Sequence, residues 1–166
     1  MPASDVVTST EAAHLLRRAG FGGSNAELAA LPGQTRAQAV AAVMGVSDGQ
    51  SAPNGPDVGR PGWVTNDDQW QVHGQVIDWW VDRMATLPNP TAAPGAPPAT
   101  AGNLPIYERL AFFWHDHFAC AQGKIFDIVA MWDQLGSFRR MAMANFADLT
   151  RAVSISPAML MALDNQ

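Results

Sequence analysis

The run Trp114-His115-Asp116-His117 puts two imidazoles and a carboxylate into consecutive positions. Imidazole takes and gives protons near neutral pH, and its neutral form binds divalent transition metals. A carboxylate beside it can orient a neighbouring group or help to move a proton. The surrounding stretch carries Ile106, Leu110, Phe112, Phe113, Trp114 and Phe118, apolar on nearly every side of a helix. Such a helix is expected to be central and buried. His115, Asp116 and His117 would then sit where polar groups are costly, and each would need a hydrogen-bond partner, an ion or a water.

Helix geometry separates the two rings. At roughly 100° per residue, positions i and i+2 point about 200° apart. His117 falls on the side of Leu110, Phe113, Trp114 and Ala121, and His115 on the side of Glu108 and Phe112. One regular helix does not easily offer both rings to one ion. Two readings follow. In the first, His115, His117 and Asp116 are catalytic, with His117, His115 and Asp164 as ligands of a divalent transition metal. In the second, both histidines are structural and link helices through hydrogen bonds.

Other residues join these readings or stay outside them. His73 lies on an apolar helical stripe with Trp70, Ile77 and Trp80, as a third ligand or a core histidine with one bond. His14 is expected to bond nearby backbone. Cys120 lies three residues after His117, with no activating base in view. One of Arg139 and Arg140 should face inward, where it needs an acid such as Asp148 or Asp164. Asp164 and Asn165 read as a helix C-cap or as site residues. The methionines after residue 130 read as core filler. No glycine-rich phosphate loop, serine nucleophile elbow, Cys-x-x-Cys pair or His-Glu-x-x-His string occurs.

Helices must position these groups, and their ends are legible. Ser9 or Thr10 can cap a helix through Arg18, with Gly20 as its stop. Ser24 caps a second helix through Leu31, and Thr35 a third from Arg36 to Met44. A long helix spans about Asp67 to Leu87. The helix bearing the histidines begins at Pro105, favoured at a first helical position, and runs to about Gln122, where Gly123 breaks it. Further helices cover about Phe126 to Asn145, a short stretch to Val153, and Ala158 to Leu163. Loops rich in Pro and Gly fill about 45–66 and 88–103, long for so short a chain. No strand-period alternation of useful length appears. The fold class is all-α, an irregular bundle of seven or eight helices. Residues 1–166 are expected to be the N-terminal part of one helical domain.

Bulk properties exclude several functions. Of 166 residues, 48% are apolar and 15% charged, against about 25% charged in typical domains. The net charge of −5 and the absence of a basic stripe argue against nucleic acid. No run of about 18 apolar residues suggests a membrane span. With one cysteine, no basic and apolar leader, and no intrachain disulfide, the chain as written is expected to be cytoplasmic.

Three segments carry a resemblance. His14-Leu15-Leu16-Arg17-Arg18-Ala19-Gly20-Phe21-Gly22, the stretch Ile106 to Ala119, and the stretch Ala144 to Asn165 resemble the opening motifs of the bacterial family called domain of unknown function 1800. The Phe113-Trp114-His115-x-His117-Phe118 string is its most specific mark. Pro157-Ala158-Met159-Leu160 and Leu163-Asp164-Asn165 add a second match. The resemblance carries no reaction with it. It implies a longer protein, continuing past Gln166 into a segment rich in acids and amides, so that part of a site lies beyond the last residue. Many relatives look exported. Asp116 stands where the family often has asparagine, which adds a charge beside the histidines. The expected function is therefore open between a metal-assisted or acid–base enzyme and a non-catalytic helical scaffold or protein-interaction module. The expected partner is another protein or a C-terminal part of the same chain.

Overall fold

A computed structural model describes residues 5–46, 54–87 and 104–165. Among them the structure is all-α, with nine helices and one isolated antiparallel bridge between Val6 and Thr35. The expected loop at 88–103 lies outside the described residues, as does 47–53 of the other. The chain divides into two compact units, Met1–Pro53 with Met84–Arg109, and Asn54–Arg83 with Leu110–Gln166.

The first unit begins with α1 (Ser9–Ala19), α2 (Asn25–Ala30) and α3 (Arg36–Met44). Each opens with a capping box, in which a hydroxyl accepts from the third helical N–H and that residue's side chain accepts from the cap N–H. The caps are Thr8, Ser24 and Thr35. The first is one residue earlier than Ser9, because Glu11 is the acid that reaches back, accepting from the Thr8 N–H at 2.9 Å. Arg36 donates to the same carboxylate at 2.7 Å. Ala12, Leu16 and Ala19 of α1 then face Leu31, Ala39 and Val43 in a small core. The chain turns after α1 with Gly23 so close to Leu16 that a Cβ there would sit 2.4 Å from the leucine side chain.

The second unit is built on α7 (Ile128–Arg140), whose Trp132, Leu135, Phe138 and Arg139 are all buried. Its start is tied down by Asn66 Oδ1, which accepts from the Ile128 N–H at 3.1 Å, and by Asp127, which caps Ala130 at 2.9 Å. The stretch 54–66 is irregular yet anchored. The Trp132 indole donates to the Gly59 carbonyl at 3.0 Å, and Val64 is buried. Around α7 lie α6 (Gln122–Ile125), α8 (Phe146–Ser154) and α9 (Pro157–Ala162). Two longer helices, α4 (Gln69–Thr86) and α5 (Pro105–His117), contribute Trp79, Trp80, Ala111 and Trp114 to the apolar clusters of this unit.

Two expectations about α5 are corrected. It ends at His117 rather than near Gln122, and Gly123 lies inside the separate α6. Just past its end, Phe118 stacks on Phe138, with ring centroids 6.0 Å apart and planes 11° apart, and Cys120 is buried. Nor is α5 buried all round, since Phe112 and Phe113 are 47% and 53% exposed. Arg139 is the inward arginine, and its guanidinium lies over the Trp79 ring at 5.4 Å. Asp148 and Asp164, the acids expected to meet it, pair with Arg151 and Lys124 instead, each at 3.0 Å.

The Glu11 cluster predicts a pH dependence. The Thr8 backbone bond, followed by the Arg36 hydrogen bond, holds the Glu11 carboxyl at about 2 rather than 4.5. A depressed carboxyl stabilises the fold above its unfolded value and loses that contribution as pH falls from about 4.5 through 2. Glu11→Gln should flatten the acid limb of a thermal-melt series in that window, and added salt should shrink the difference, because both partners of the Glu11–Arg36 pair reach solvent. Leu16→Ala, at a fully buried position, should cost about 2–5 kcal/mol in denaturant unfolding.

Candidate functional site

Ala111 and His115 are one helical turn apart on α5, so both point to the same side. Ala111 is fully buried in the cluster that contains Phe138 and Leu135. His115 follows it inward and is half-buried. Its ring meets Trp80 edge-on at 5.7 Å and Phe138 at 6.4 Å. Burial pushes the His115 pKa below 6.5, and the neighbouring Asp116 carboxylate opposes that shift. The imidazole is therefore neutral at physiological pH, with a nitrogen lone pair to offer.

His115 lines two hollows. The inner one, about 80 Å³, presents three polar side chains: His73 of α4, His115, and Gln122 of α6. Its other walls are apolar, from Val76, Ile77 and Trp80 on α4 and from α7. The outer one, about 230 Å³, is a surface hollow lined by Phe112, His115, Asp116, Ala119 and Cys120. Asp116 is exposed there. Cys120 is a free, buried thiol whose sulfur accepts a hydrogen bond from Gln134 Nε2 at 3.4 Å.

His117 goes the other way. It is exposed and follows Phe113, on which it stacks at 6.1 Å with planes 16° apart. Phe118 lies edge-on to it at 4.9 Å, and Trp114 and Phe146 complete an aromatic cluster. The two histidines of the motif thus have different surroundings, as helix periodicity requires. Asp164 is exposed and bonded to Lys124. Among the described residues no group of three His, Cys, Asp or Glu side chains is placed to hold a metal ion. His115, His117 and Asp164 are therefore not gathered into one ligand set. His14 is exposed on α1.

His73 proves to share the inner hollow with His115, which the stripe of α4 indicated only in part. Gln122 was not singled out from the sequence, because nothing about an amide at the start of a four-residue helix marks it. Glu108, fully buried on α5, was likewise passed over as one position in an apolar run. A wider hollow of about 510 Å³ lies in the first unit. Its one ionisable lining residue among those described, Glu27, is held by the Ser24 N–H at 2.6 Å in a capping box. Another hollow, about 200 Å³, is lined by Asp57, Arg60, Asp133 and Arg140, with Arg140 paired to Asp57 at 3.5 Å. The His115 region is the place where imidazoles and concave surface coincide.

Comparison with known families fits the motif. Residues 14–166 match the family described as "Protein of unknown function (DUF1800)". The chain belongs to this DUF1800 family. No curated protein and no solved structure shows a significant match. Among the described residues of this DUF1800 chain, no helix is long and apolar enough to cross a membrane.

The His115 surroundings predict its titration. Nitrogen-detected NMR of imidazole-labelled protein should place its midpoint below 6.5. Asp116→Asn should lower it further by removing the charge that supports the protonated form. A group depressed in this way leaves stability intact above 6.5 and erodes it as pH falls below, since the unfolded chain protonates first.

Proposed function

We propose that this chain carries an acid–base enzyme site centred on His115, with the outer hollow as the place where substrate meets it. The observation that carries the reading is one half-buried histidine that lines both a surface hollow and a smaller, mostly apolar one, with burial favouring its neutral form. A neutral histidine with a nitrogen reachable from a hollow is suited to accept a proton from a bound nucleophile. Asp116 would steady the imidazolium that results, since its carboxylate already favours the protonated ring. The metal-assisted version draws less support, because the candidate ligands His117 and Asp164 are engaged elsewhere. The single free thiol of Cys120 fits a reducing compartment, which favours a cytoplasmic setting.

The test uses a generic acyl substrate. Hydrolysis of p-nitrophenyl acetate by the full chain should rise with pH to a plateau, with a midpoint below 6.5. His115→Gln should lower the rate about 10²-fold or more, the usual contribution of a positioned base. His14→Gln, which removes an exposed imidazole of the first unit, should leave it unchanged. A His115→Gln protein that keeps its rate and its pH profile sinks the reading.

A second reading rests on the exposed rings around His117. Phe113 and Phe146 are 53% and 55% exposed, an apolar surface suited to a protein partner. If the chain is a non-catalytic interaction module, His115→Gln alters stability alone, through its ring contacts with Trp80 and Phe138.

A further inference from the structure

Two bonds tie the irregular stretch 54–66 to α7 and leave a concave surface between them. The Gly55 N–H donates to the Arg140 carbonyl at 3.0 Å, and the Trp132 indole donates to the Gly59 carbonyl at 3.0 Å. The two anchor points on α7 lie roughly 12 Å apart along the helix axis. The hollow of about 200 Å³ takes Asp57, Val58 and Arg60 from the stretch and Asp133, Gly136 and Arg140 from one face of α7.

One guanidinium of this hollow is held in place. Arg140 Nη2 donates to Ser137 Oγ at 3.1 Å, and Nη1 lies 3.5 Å from the Asp57 carboxylate. That carboxylate accepts from the Gly59 N–H at 3.0 Å. Glycine inside a helix is unfavourable relative to alanine, yet at 136 it leaves the guanidinium room, since a Cβ there would lie 3.1 Å from Arg140 Nη1. Arg60 and Asp133 differ. Both are exposed, so a solute reaches them, and neither carries an ion pair among the described residues.

The lining selects the charge of a ligand. Two guanidiniums and two carboxylates sum to zero. A lone anion on the arginines would stand beside Asp57 and Asp133, and a lone cation on the carboxylates beside Arg60 and Arg140. A molecule that carries both charges avoids either clash. With Asp57 and Arg140 already paired, the open groups are one guanidinium and one carboxylate. At about 200 Å³ and roughly 30 Å³ per water-sized group, the space takes about six or seven heavy atoms.

We propose that this hollow binds a small zwitterion, an α-amino acid of the size of alanine or serine. Arg60 meets its carboxylate, Asp133 its ammonium, and Val58 covers its side chain. The inference goes beyond the reading of His115 and does not rest on it.

L-Alanine is the probe, titrated at constant ionic strength into the full chain with nitrogen-labelled amide and indole groups. Solvent-exposed ion pairs contribute little each, so the Kd is expected on the order of 1–10 mM. The expected result is a saturable shift of the Gly59 and Gly136 amides and of the Trp132 indole N–H, with the His14 amide unmoved. Propionate and ethylammonium, each with one of the two charges, should bind about 3- to 5-fold more weakly, and Arg60→Gln and Asp133→Asn should each weaken alanine by a similar factor. His115→Gln should leave alanine binding unchanged. Should a charge variant not fold, nuclear Overhauser contacts from the alanine methyl to the Val58 methyls of the unaltered protein decide the matter. No saturation at about ten times that Kd, propionate or ethylammonium binding as tightly as alanine, charge variants of undiminished affinity, binding lost with His115→Gln, or no Val58 contacts would each overturn the proposal.

Discussion

The contact that organises the second unit is the burial of Phe138 of α7 among Ala111, Phe118 and His115. Phe138 is fully buried, and so is Ala111. Ala111 lies in the same apolar cluster as Phe138, Leu135 and Leu149, in an interior packed at crystal-like density. Once Ala111 is held against that cluster, the rotation of α5 about its axis is settled. His115, one turn later, must turn inward. His117, about 200° away, must turn out toward Phe113 and Phe146. The environment of each imidazole thus descends from a packing contact that contains no polar atom.

The same constraint explains which properties of the site were readable in advance. Divergence of the two rings follows from helical period alone and needs no tertiary information. The starts of α2, α3 and α5 were also legible, because Ser24, Thr35 and Pro105 act through local bonds and fixed backbone angles. Local chemistry of this kind survives folding unchanged. At α1 the expected caps, Ser9 or Thr10, were displaced by Thr8, because Glu11 reaches back to the Thr8 N–H.

What was not legible depended on distant partners. Past the end of α5, Phe118 meets Phe138, twenty positions later, and Gly123, expected to break the helix, lies inside α6. The exposure of Phe112 and Phe113 was hidden because an apolar residue reads the same whether it packs or not. One of Arg139 and Arg140 was expected to turn inward; it is Arg139, and its guanidinium lies over the face of Trp79, while the acids first considered pair elsewhere. An arginine over an indole is satisfied partly through the ring's electron-rich face, which leaves no signature in charge patterning. Gln122 and His73 come together only because α4 and α6 line a common hollow.

The tryptophans are distributed unevenly, and this has an optical consequence. All six, at 63, 70, 79, 80, 114 and 132, belong to the second unit, while the single tyrosine, Tyr107, belongs to the first. Trp132 sits buried between Trp63 at 6.0 Å and Trp79 at 4.7 Å. Indole emission therefore reports on the unit that holds His115 and is blind to the other, whereas helical circular dichroism sums over both. The protein carries its own pair of spectroscopic channels, and comparing them separates loss of the site from loss of the capped helices at the start of the chain.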